Sequence, residues 1–172
     1  MSKAMALLSD EHKHILNVID ALLKECSSID SKGLDKVFFE KAIDFIRNYA
    51  DKFHHAKEED ILFVELASAD MHCDPTKQML HEHDLGRGFV KGMEEGVKGN
   101  DKNKVVENAR AYASLLQEHI RKEDMILYPM ADDSLSGQAL DSMLVKFRQA
   151  DAERKETEDR CLAFVNEITK PF

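Results

Sequence analysis

Imidazole and carboxylate are the side chains that hold first-row transition metals where no thiolate is offered. This chain carries 8 histidines among 172 residues. Four of them continue an apolar series at helical spacing. His12 follows Leu8 and precedes Ile15 and Ile19, and His54 follows Ile43, Ile46 and Ala50. His83 lies between Met79 and Val90, and His119 follows Tyr112 and Leu116. Four residues after His54 and His119 come Glu58 and Glu123, and side chains at i and i+4 are neighbours on one helix face. Two carboxylates buried beside neutral imidazoles are costly unless a cation joins them. Four His and two Glu exceed what one zinc ion normally takes. They divide into two metal ions, each with two His, bridged by Glu58 and Glu123. Each ion then keeps room for oxygen species or other small ligands. The remaining histidines read differently. His14 lies on the polar side of its helix, and His81 groups with Lys77, Gly88 and Glu95. His55 and Glu59 share a face with Asn48, Asp51 and Lys52 that reads as solvated, and His72 falls in a loop.

The elements that must position these groups are helices. Apolar periodicity predicts five: from about Ser9 to Cys26, Leu34 to Leu66, a third to Val97, Asn103 to Tyr128, and Leu135 to Thr169. Asp74 is suited to cap the third, with Pro75 in its first turn. Pro129 predicts the end of the fourth, and Ser134 or Ser136 a cap for the fifth. No strand-like alternation competes, and apart from a weak similarity of the second and fourth helices no internal repeat is seen. Short connections make successive helices antiparallel. The expected fold is all-α, an up-down-up-down four-helix bundle over residues 8–131 with one further helix over 135–169, in a single domain of residues 1–172. At 1.5 Å per residue, His12 and His54 lie roughly 22 and 28 Å from the first turn. His83 and His119 lie about 22 to 24 Å from the third, which puts all six side chains in one layer.

Composition removes several classes. The net charge is −9 with no basic stripe, which argues against nucleic acid. No run approaches 18 apolar residues and the first residues lack the apolar centre of a signal peptide, so no membrane association and a cytoplasmic location are expected. Three scattered cysteines without a CxxC pair, Cys26, Cys73 and Cys161, argue against a disulfide framework or thiolate zinc site. Cys26 and Cys161 fall on apolar stripes as inert core, and Cys73 stands in a loop. HExxH is absent, and in the one Glu-x-x-His match, Glu11–His14, the His14 points outward, which sets aside the ferritin-like metal motif.

The segments DEHKHIL, FHHAKEEDILF, EHDLGRGFV and HIRKEDMILYP, in that order, resemble the hemerythrin-like HHE cation-binding family. The resemblance implies a four-helix bundle around two iron ions, usually oxo- or hydroxo-bridged. It implies His12, His54, Glu58, His83, His119 and Glu123 as ligands. Oxygen-carrying members have a second His four residues after the third-helix His, where this chain has Arg87. They also place an Asp five residues after the fourth-helix His, where Asp124 stands; Glu123 lies better on the face. Arg87 is either the holder of an anionic ligand such as peroxide or part of a surface ion pair, and Tyr112 either a hydrogen-bond donor near the metals or a core residue. The function expected is a non-haem di-iron protein that senses or reacts with oxygen, hydrogen peroxide or nitric oxide. The alternatives are a non-catalytic iron-responsive interaction module and reversible oxygen or iron storage.

Overall fold

The computed structural model describes residues 1–69 and 75–170; Asp74, His72 and Cys73 lie outside them. The described residues are helical throughout, with no strand. Helix α1 spans Lys3–Lys32, α2 residues 36–67, α3 Thr76–Gly99 and α4 residues 102–134. Two shorter helices follow, α5 over Gly137–Glu153 and α6 over Lys155–Thr169.

Local chemistry sets most ends. The Ser2 hydroxyl accepts from the Met5 N–H, so α1 starts six residues before Ser9. It runs past Cys26 to Gly33, whose φ of 84° is open to glycine without strain. Asp35, Asp101 and Ser136 cap α2, α4 and α5 in the same way. Pro75 precedes the first residue of α3. Two expectations fail. Helix α4 passes Pro129 and continues to Ser134, because Pro129 sits in the first turn after a π-helical segment, Glu123–Leu127. A missing N–H is tolerated in a first turn. The single helix expected over 135–169 is two. Between Phe147 of α5 and Cys161 of α6, both buried, the chain is charge-rich and has no fully buried residue, and the helix opens at Arg154.

The apolar interior forms two clusters. One gathers Ile15, Ile19, Ala50, Phe53, Val90, Leu116 and Ile120, with Cys161 and Phe164 of α6. The other gathers Met5, Leu8, Leu62, Met79, Leu127 and Tyr128, with Met143 and Phe147 of α5. Between them lies a polar layer. No described helix is long and apolar enough to cross a membrane.

Candidate metal centre

Helix α2 departs from α geometry just where it enters the polar layer. Ile46–His55 and Glu58–Leu62 are π-helical, as is Glu123–Leu127 of α4. A π-turn closes its bonds at i→i+5 and so rotates less per residue than an α-turn. Consecutive residues can then face the same way. π-turns of this kind concentrate at functional sites.

His12, His54, His83, His119, Glu58 and Glu123 are all buried and all meet in the layer. The Nε2 atoms of His12 and His54 lie 3.0 Å apart, and those of His83 and His119 also 3.0 Å apart. Each glutamate reaches one imidazole of each pair. Glu58 Oε2 is 3.7 Å from His54 Nε2 and 3.5 Å from His83 Nε2. Glu123 is 3.2 Å from His12 Nε2 and 2.9 Å from His119 Nε2.

The opposite nitrogen of each ring fixes its proton. His12 Nδ1 lies 3.0 Å from Asp124, His54 Nδ1 2.8 Å from Glu11, His83 Nδ1 2.7 Å from Glu59 and His119 Nδ1 2.8 Å from Glu82. A carboxylate at Nδ1 takes its N–H, so a neutral ring presents a bare lone pair at Nε2, the tautomer that binds a metal. Four such lone pairs then point at each other and at two buried carboxylates. Glu58 Oε2 and both oxygens of Glu123 have no hydrogen-bond partner among the described residues. Buried acceptors without donors are unfavourable, and cations satisfy all of them at once. The donor set therefore fits metal ions, and Asp124 supports the ring of His12 from outside the layer while Glu123 enters it.

Electrostatics of the protein alone show the same need for positive charge. Burial pushes the His12 pKa down, but Asp124 and Glu123 outweigh it and raise it to about 9. Burial, with the neighbouring His12 charge, holds His54 far below the usual imidazole range. Glu58 is pushed well up by burial and by Glu123 beside it. Glu123 is held well down despite burial, because His119 and His12 flank it. Protons on His12 and His119 thus stand where metal charge would act.

Several groups that matter here are invisible to a period of 3.6. His55, read as solvated, is 5% exposed, its ring stacked on His83 with centroids 3.8 Å apart. Glu59, read with it, is the half-buried partner of His83. The π-turns rotate both inward. Tyr128 is buried, donates to Glu58 Oε1 at 2.7 Å and lies 3.3 Å from His12 Nε2. It was hidden by the expectation that α4 ends there. Lys57, 1% exposed, binds Glu11 and, at 2.6 Å, Asp151 of α5, linking α5 through Glu11 to His54.

These contacts also expose an internal repeat. Glu11-His12 on α1 recurs as Glu82-His83 on α3, and His54-x-x-Lys57-Glu58-Glu59 on α2 recurs as His119-x-x-Lys122-Glu123-Asp124 on α4. Lys122 holds Glu82 as Lys57 holds Glu11. Only the weak similarity of the second and fourth helices hinted at it.

Arg87 is 39% exposed and bonds to Asp51, Asp84 and Glu59, the ion-pair alternative. Tyr112 is buried, and its hydroxyl has no partner among the described residues. A cavity of about 400 Å³, lined by Ile46, His55, His83, Arg87, Val90 and Tyr112 among others, reaches from the surface to this side of the layer. Cys26 and Cys161 are buried, and burial raises both thiols.

Residues 3–131 match the model of the hemerythrin HHE cation-binding domain. The chain belongs to this family. Comparison with curated proteins and with solved structures gave no match.

Proposed function

We propose that the layer holds two iron ions, one between His12 and His54 and one between His83 and His119, with Glu58 and Glu123 bridging. The protein then senses or reacts with oxygen, hydrogen peroxide or nitric oxide. The observation that carries this reading is the four Nδ1–carboxylate bonds, which aim four bare Nε2 atoms and two partnerless carboxylates at one enclosed space. Two irons held there would supply redox electrons to a small oxidant. The protein's part is to fix donor direction through Glu11, Glu59, Glu82 and Asp124, and to keep the site dry between two apolar clusters. Tyr128 places a hydroxyl proton at the site's edge.

An up-down-up-down bundle in one domain supports this arrangement. Along α1 the chain passes from the cluster of Leu8, through His12, to the cluster of Ile15. Along α2 it passes from Phe53 through His54 back to Leu62. Helices α3 and α4 repeat the alternation, from Met79 to Val90 and from Leu116 to Leu127. We place the protein in the cytoplasm.

The test is anaerobic loading with iron(II), then stoichiometric hydrogen peroxide, air or nitric oxide, followed by absorption spectroscopy. New bands with at least one of the three, at one equivalent per iron pair, are expected. A spectrum unchanged by all three overturns the redox reading. One observation favours a second reading, an iron-responsive interaction module: the chain His54–Glu11–Lys57–Asp151 ties the metal layer to α5, beyond the family-matched residues. Under that reading iron changes exposure of α5 while the spectrum stays inert to oxidants.

A further inference from the structure

The repeat makes the two halves of the centre nearly equivalent, so positions that break it are informative. In the layer two stand out. His55 on α2 occupies the register of Ile120 on α4, and Tyr128 on α4 that of Phe63 on α2. The aromatic pair keeps its geometry: Phe63 stacks by His83 at 6.0 Å and Tyr128 by His12 at 5.5 Å. What changes is chemistry, an imidazole on one side and a hydroxyl on the other.

His55 is placed like the four histidines already described. Its ring lies against His83, 3.8 Å between centroids, and farther from His54, at 5.7 Å. It offers a ligand atom that, with those of Glu58, His83 and His119, falls within 4.8 Å of the rest, a second compact set beside that of His12, His54, Glu58 and Glu123. Its Nδ1 faces a carboxylate as the others do, Asp51 at 3.7 Å, which leaves Nε2 as the nitrogen free for an ion. Burying an imidazole is costly, and an apolar residue such as the Ile at position 120 would fill the space without that cost.

We propose that His55 is a fifth imidazole ligand, given to the ion held by His83 and His119. The centre is then unequal, with three His on that ion and two on the ion of His12 and His54. The less-ligated ion is the one beside the Tyr128 hydroxyl, which makes it the acceptor of a small ligand able to take a hydrogen bond. This inference rests on the two-metal reading.

Proton NMR of the cobalt(II)-loaded wild-type protein tests it without substitution. Each imidazole bound through Nε2 keeps an Nδ1 proton, which appears as a strongly shifted resonance that vanishes in deuterium oxide. Five such resonances are expected. Four, with two cobalt ions bound, would overturn the role of His55 and leave the two-metal centre standing; no bound cobalt would overturn both. A His55→Gly variant, given free imidazole through the adjoining cavity, should lose one resonance and regain it. Identical spectra before and after imidazole, with all five present, would also overturn the assignment.

Discussion

At the scale of residues, the centre is four imidazoles turned by four carboxylates. The raised pKa of His12 has a direct consequence for stability. A histidine near 6.5 when unfolded and about 9 when folded binds its proton more tightly in the fold. That stability is complete below pH 6.5 and is lost as pH rises through 9. The shift corresponds to on the order of 3 kcal/mol. Glu11, raised to about 7 mainly by burial, acts in the same direction over lower pH, from its ordinary range up to 7. Resistance of the metal-free protein to denaturant should therefore fall between pH 6 and 9.5. With metal replacing the proton on His12, the loss above pH 7 should vanish; a parallel loss in both forms would contradict the placement of His12. Tyr128→Phe removes the donor to Glu58 Oε1. Changes of this supporting kind typically cost 10- to 100-fold in metal affinity. Competition with a chromophoric chelator should show about a tenfold loss with the number of bound ions unchanged.

At the scale of elements, helix periodicity carried the reading a long way and failed for a definable reason. His12 and His83 sit in regular α-helix, and counting by 3.6 put them inward. His54, Glu58, His119 and Glu123 also came out inward, because each stands four residues from its partner. His55 and Glu59 were misplaced because the residues around them are π-helical, and no residue type announces a π-turn. Lys57 was missed for another reason: a lysine is expected in water until Glu11 and Asp151 are known to enclose it. The break of the last helix at Arg154 falls in the charge-rich run Asp151–Arg160, where no Gly or Pro marks it. Lys57 supplies a prediction at this scale. Lys57→Met leaves Glu11 and Asp151 facing each other without a cation, and breaking such a buried pair costs about 3–5 kcal/mol. The denaturation midpoint should fall accordingly, and hydrogen exchange should quicken in Gly137–Glu153 more than in Thr76–Gly99. Uniform quickening across all helices would contradict the link between α5 and the layer.

At the scale of the whole molecule, two apolar clusters enclose a polar layer that the protein alone does not neutralise. On the two-metal proposal, bound ions complete such a fold. Metal at a hundredfold excess over its dissociation constant adds ~2.7 kcal/mol per site. In a domain of this size that raises the unfolding temperature by roughly 5–10 °C for each site filled. Calorimetry with and without iron(II) under argon should show the rise, and a chelator should reverse it. The most direct measurement is the amount of iron retained per chain after anaerobic reconstitution and desalting. The account predicts two. One iron, or none, would contradict it, because Glu58 and Glu123 would then have no pair of ions to bridge.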